Sequence, residues 1–306
     1  RHYPWFHAKF HSLLSQILLL KPAALLLIDY PGFNLRLATA VKKKLKDIKV
    51  IYYISPQVWA WNPNRVKKMR GTIDLMLCIF PFEPKIYQKV GIRALYVGHP
   101  LVEELAELAN QNIPRNENLV ALLPGSRERE VRKIFPTLLA TASQIHLSRP
   151  EIQFASSSTR HDLALWMQKE AQKKDIKVEI TVGSARQLMK RAAVGIVCSG
   201  TATLEAALLG LPYALVYKTA WLTYEIARRV ITVQHLGIVN ILAGKTVVRE
   251  FLQHNCTPTK LADETLSLLN CHERRFQLIQ EMKKATSILR SSNSSRKAAE
   301  AIAALL

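Results

Sequence analysis

Short apolar runs alternate with longer amphipathic stretches along most of this chain. Residues 23–28, 50–54, 75–80 and 94–97 are apolar runs of strand length, and each reads as a buried strand. Between them, 35–45 carries helical periodicity and ends in the polar Lys42-Lys43-Lys44, 65–70 forms a short basic helix, and 83–90 a further helix. Around 105–118 the pattern changes to Glu, Asn, Gln and Pro, and 114–118 reads as a linker. A second series of strands follows at 119–123, 152–155, 178–181, 194–198 and 213–216, with helices between them. In the first of those helices Val131, Ile134, Phe135, Leu138 and Leu139 recur at spacings of three and four. The tail from 260 to 306 is helical in pattern, and the Ser-rich stretch 287–295 divides it into two helices.

Strand–helix alternation with short connections predicts parallel sheets covered by helices, here in two doubly wound domains. The expected boundaries are 1–112, 113–284, and a C-terminal helix within 285–306 that packs back on the first domain. Residues 1–15 read as a helix with no strand before it, so the first domain is expected to lack its first βαβ unit.

Ligands of such folds collect at the carboxyl ends of strands, and three of these ends carry suggestive residues. Leu122-Leu123-Pro124-Gly125-Ser126-Arg127 is a glycine turn from strand into helix. Free N–H groups and the helix dipole make such a turn an anion site, and Arg127 can grip a phosphate with two parallel bonds. A plain βα corner with a surface arginine fits the same residues. Ser199-Gly200-Thr201-Ala202-Thr203-Leu204-Glu205 is a second such turn, in which Ser199 or Thr201 can cap the helix. Glu205 is placed to accept bonds from two ribose hydroxyls, or is a surface glutamate. Asp29 ends the 23–28 strand, as a general base or as the cap of the next helix. A loop at 55–61 carries Trp59 and Trp61 and is trailed by Arg65, Lys67, Lys68 and Arg70. That pairing suits a membrane interface, a nucleic-acid surface or a packed interdomain loop.

Composition narrows the class. A hydrophobic fraction of 49% is ordinary for a globular protein, but 43 Lys+Arg against 23 Asp+Glu give a formal charge of +20, which attracts polyanions of any kind. The four cysteines show no CxxC spacing, which argues against a zinc site or a disulfide framework. The longest apolar stretch, 13–28, is interrupted by Lys21 and Pro22 and is too short to span a bilayer. There is no DxD to hold a nucleotide-bound metal, no GxSxG elbow and no Walker A pattern.

Taken together, Ile28-Asp29-Tyr30-Pro31-Gly32-Phe33-Asn34, Ser55-Pro56-Gln57-Val58-Trp59-Ala60-Trp61, the two glycine turns and Asn240-Ile241-Leu242-Ala243-Gly244 resemble, in order, the lipid-A-disaccharide synthases. That family consists of inverting glycosyltransferases of the GT-B fold. The resemblance implies transfer from UDP-2,3-diacylglucosamine to the 6-hydroxyl of 2,3-diacylglucosamine 1-phosphate, giving a β-1,6 disaccharide and UDP. It makes Asp29 the candidate base and Arg127 the stabiliser of the leaving diphosphate. Gly125, Ser126, Ser199, Gly200, Thr201, Ala202, Glu205 and Asn240 join Arg127 around UDP. It places Trp59, Trp61, Arg65 and Lys68 on the membrane or acceptor side. No cofactor and no metal are expected. The expected partners are the two acylated sugars and the anionic inner-membrane surface reached from the cytoplasm; a homodimer stays open. Two rivals stand beside this reading: another UDP-sugar enzyme of the same fold, such as a 2-epimerase, and a basic nucleic-acid-binding protein. Against the last, Lys and Arg are scattered over many elements without a recognised binding motif, so no nucleic-acid partner is expected.

Overall fold

The structure, a computed structural model, describes residues 3–61, 63–219, 234–289 and 293–306. They fall into two compact units: the described residues up to Glu103 together with those from Leu289 onward, and those from Glu104 to Ile288.

The first unit holds a parallel sheet of β1 (Ala24–Ile28), β2 (Lys49–Tyr53), β3 (Leu75–Cys78) and β4 (Ala94–Tyr96), in that order. Both faces of its inner strands are apolar because both are covered. Val50, Tyr52, Met76 and Cys78 point into one core with Leu37, Ala38 and Val41 of helix Pro31–Lys44. Ile51, Leu75 and Leu77 point the other way, onto Ala298, Ala301 and Ile302 of helix Ser294–Ala303 and onto Leu305. The end of the chain thus covers a face of the sheet built from its beginning. Ser294 Oγ donates to Glu103 Oε2 at 2.7 Å, which anchors the start of that last helix.

The second unit holds a parallel six-stranded sheet ordered β10-β9-β8-β5-β6-β7. Its strands are β5 (Asn116–Leu123), β6 (Gln153–Ser158), β7 (Val178–Val182), β8 (Ala192–Cys198), β9 (Tyr213–Tyr217) and β10 (Glu250–Leu252). The predicted stripe on helix Glu128–Ser148 is buried, packed on Val120, Leu122, Val194 and Ile196. The short β10, unannounced by any apolar run, pairs with β9 at the edge.

Three local expectations change. Residues 104–112 belong with the second unit, so the division falls between Glu103 and Glu104 rather than after 112. Leu105 is buried in the second unit's core, and Lys190 Nζ donates to the Ala109 carbonyl at 3.0 Å. The supposed linker 114–118 is mostly the start of β5. Ahead of it, Arg115 is pinned through its guanidinium to the carbonyls of Met189, Ala192 and Leu209 at 2.6–2.8 Å. Among its described residues the tail contains three helices rather than two: Pro258–Asn270, His272–Ser287 and Ser294–Ala303. The extra break is at Cys271, whose Sγ accepts from the Arg274 N–H while buried Arg275 caps the carbonyls of Leu268 and Leu269. Cysteine is not among the usual capping residues, which hides this break from sequence reading.

Candidate active site

In the second unit the chain leaves β5 at Leu123 and turns through Gly125, at φ +115°, into helix Glu128–Ser148. A Cβ at Gly125 would lie 3.1 Å from Glu130 Cβ and 3.3 Å from Cys198 Sγ, tight contacts that add to the positive φ in favouring glycine. The chain leaves β8 at Cys198 and enters helix Thr201–Leu208 through Gly200, at φ +139°. Gly200 itself is the N-cap, and no side chain caps this helix, so neither Ser199 nor Thr201 consumes its first N–H groups.

These two turns, with the ends of β6 and β7, line a cavity of 460 Å3. Gly125, Ser126, Arg127, Ser199, Gly200, Thr201, Ala202 and Glu205 all border it. Arg127, 82% exposed along its side chain, donates from Nη1 to Glu130 Oε1 at 2.8 Å, and its backbone N–H reaches Glu130 Oε2 at 3.4 Å. Glu205 is turned inward, and its Oε1 takes two bonds from Arg186. Cys198 also borders the cavity, but burial pushes its thiol up to about 12, which leaves it protonated and a poor nucleophile. Glu130, Arg186, Ser157, Ser158 and Thr159 line the cavity without having been singled out in the sequence. Glu130 follows Arg127 at the spacing of a capping box, a signal that was present; Arg186 carries no local signal at all.

Asn240 does not belong to this group. It is fully buried: Nδ2 donates to the Val248 carbonyl and Glu250 Oε1, and Oδ1 accepts from the N–H groups of Val247 and Val248, all at 2.8–2.9 Å. Two donors and two acceptor sites exhaust an amide, so nothing is left for a nucleotide. Asn240 is a strut between helix Ile238–Ala243 and β10.

In the first unit, Asp29 follows edge strand β1 and is exposed. It and Tyr30 both take left-handed backbone angles, φ +47° and +46°, a strained corner of the kind that collects at functional sites. Asn34 holds the corner by donating from Nδ2 to the carbonyls of Ile28 (3.0 Å) and Asp29 (2.7 Å). Beside it the rings of Phe6, Tyr30 and Phe33 gather, and Trp5, Phe6, Ile28 and Tyr30 are exposed.

Trp59 is half-buried: its Nε1 donates to Glu83 Oε1 at 3.0 Å, and its ring meets Phe80 and Phe82 edge-on. Glu83 is fully buried, also accepts from the N–H groups of Ile79 and Phe80, and is held above the usual carboxylate range by burial. These contacts anchor the indole within its own unit. The Trp61 side chain lies outside the described residues. Arg65 and Lys68 follow in the 3-10 helix Pro63–Met69, which buries Val66 and Met69; Lys68 is exposed and Arg65 half-buried. Among the described residues no group of His, Cys, Asp or Glu could hold a metal ion, and no helix is long and apolar enough to cross a membrane.

Two parallel-sheet units, the second with its cavity at the carboxyl ends of the strands, define the GT-B fold shared by sugar-nucleotide glycosyltransferases and epimerases. The chain matches S. aureus MnaA in its UDP co-structure with a TM-score of 0.64 at 10% identity, over 97% of this chain and 79% of that one. It matches the UDP-GlcNAc 2-epimerase of Neisseria meningitidis with a TM-score of 0.62 at 14% identity, over 96% and 79%. Sequence gives the finer assignment. The family model described as Lipid-A-disaccharide synthetase matches residues 4–305, and the chain belongs to that family of glycosyltransferases. It is 38% identical to Lipid-A-disaccharide synthase 1 of Legionella pneumophila over 94% of this chain and 76% of the relative. It is also 38% identical to the lipid-A-disaccharide synthase of Trichlorobacter lovleyi, over 88% and 72%.

Proposed function

We propose that the chain joins UDP-2,3-diacylglucosamine to 2,3-diacylglucosamine 1-phosphate, releasing UDP, and that the cavity of the second unit holds the nucleotide. The observation that carries the cavity's part is the convergence of two glycine turns, the one at Gly200 without a side-chain cap, and Arg127 on one space. Backbone N–H groups and a guanidinium there offset the charge that grows on the diphosphate as the C1–oxygen bond breaks. In this reading Asp29 takes the proton of the acceptor 6-hydroxyl as that oxygen attacks C1, and inversion leaves a β linkage. No metal or other cofactor enters the proposal, since the cationic and N–H groups supply the neutralisation.

We further infer that the protein works on the cytoplasmic face of the inner membrane. The exposed Trp5, Phe6 and Tyr30 beside Asp29, on a chain with formal charge +20, support an acceptor side that meets anionic lipid.

A UDP-release assay with both acylated sugars, paired with UDP titration calorimetry, tests the assignment. Asp29→Ala should cut turnover by about a thousand-fold while UDP affinity stays near wild type. Arg127→Ala should weaken UDP by about ten-fold or more. Substantial turnover in the first variant removes Asp29 as base; unchanged affinity in the second removes the diphosphate contact.

A further inference from the structure

Arg186 stands second in helix Ala185–Arg191 and borders the cavity. Nε and Nη2 of its guanidinium both donate to one oxygen of Glu205, Oε1, at 3.0 and 2.8 Å. Nη1 donates to Glu104 Oε1 at 2.7 Å. The planar fork is thus clamped between two carboxylates contributed by residues far apart in the chain. None of these bonds goes to Glu205 Oε2.

Two physical consequences follow. A carboxylate held by a planar fork has its plane and rotamer set before any ligand arrives, so the ordering cost is met in advance. A carboxylate in a cavity built to attract phosphate would also repel the ligand's diphosphate, and a guanidinium in direct contact offsets that charge. What remains available is an oriented acceptor, suited to a pair of adjacent hydroxyls and unsuited to a phosphate.

We propose that Arg186 is a positioning residue that presents Glu205 to the 2′- and 3′-hydroxyls of the nucleotide ribose, and so sets the preference for a ribonucleotide over its 2′-deoxy analogue. The proposal rests on the nucleotide reading of the cavity given above.

Calorimetric titration of the whole chain with UDP and with 2′-deoxyuridine 5′-diphosphate tests it, on wild type, Arg186→Met and Arg186→Lys, with circular dichroism melts alongside. Wild type should bind UDP about ten-fold or more tightly than the deoxy analogue, the value of a hydrogen bond to a charged group. Arg186→Met should bring the two affinities within about three-fold, chiefly by weakening UDP. Arg186→Lys should recover part of the preference, since it keeps the charge but loses the fork. Equal weakening of both nucleotides by Arg186→Met, or an undiminished preference, overturns the proposal, as does a wild type that binds both alike. A wild type that binds neither nucleotide removes the reading of the cavity itself, and the proposal with it. Should Arg186→Met not fold, Arg186→Lys decides alone: a full wild-type preference there refutes the need for the fork.

Discussion

His99 shows how a single residue's chemistry depends on where the fold puts it. Its ring is buried, 5.2 Å from that of Phe80, and its Nδ1 accepts from the Leu101 N–H at 3.2 Å. Burial lowers its pKa from 6.5 to about 4. Between those values the unfolded chain binds a proton that the folded chain refuses, so stability rises with pH across that window and falls as pH drops through it. Buried Glu83, raised by desolvation, acts with the opposite sign: its share of stability is present below the unfolded carboxylate pKa and is lost as pH rises through its folded one. Urea unfolding of wild type and His99→Phe should therefore diverge in slope between pH 6.5 and 4, with a total difference on the order of 3 kcal/mol. Parallel pH profiles would refute this. Glycine turns and strand-end residues were readable because their reasons are local: a positive φ, a missing Cβ, an N-cap. The commitments of Asn240 and Trp59 were not, because the atoms that satisfy them come from Val248, Glu250 and Glu83.

At the scale of elements, burial patterns account for most of what periodicity announced and for part of what it missed. Helix Ser294–Ala303 presents Ala298 to Ile51, Leu75 and Leu77, while Arg296 and Glu300 pair in the solvent at 2.8 Å. Introducing a charge by Ala298→Asp should cost about 2–4 kcal/mol in urea unfolding, because the carboxylate would be buried without a partner. Arg296→Ala, which breaks an exposed i,i+4 pair, should cost less than about 0.5 kcal/mol. Similar losses in the two variants would show that the helix does not cover the sheet. The helical pattern of this segment is visible in the sequence; the sheet face it covers is not, since its partners lie more than 200 residues earlier.

At the scale of the whole molecule, the charge of +20 becomes a property with a measurable range. Co-sedimentation with anionic vesicles should be strong at low ionic strength and weaken as salt shortens the screening length to about 3 Å near 1 M. The binding that persists in salt should fall further in Trp5→Ser/Phe6→Ser, which removes exposed rings rather than charge. Equal binding to neutral and anionic vesicles would exclude the electrostatic part. An unchanged high-salt remainder in the double variant would exclude the aromatic part.

The division between what was written in the chain and what emerged on folding follows the range of the interactions. Alternation of strand and helix, the turns at Gly125 and Gly200, and the placement of Asp29 at a strand end are short-range matters, written in neighbouring residues. Folding brought the two turns to one cavity, because parallel pairing sets β5 beside β8 although the paired positions lie more than 70 residues apart. It also decided that Glu205 is held by Arg186 and that Asn240 is spent on the interior. A hydrogen bond is specified by two groups at once, and a linear pattern names only one of them.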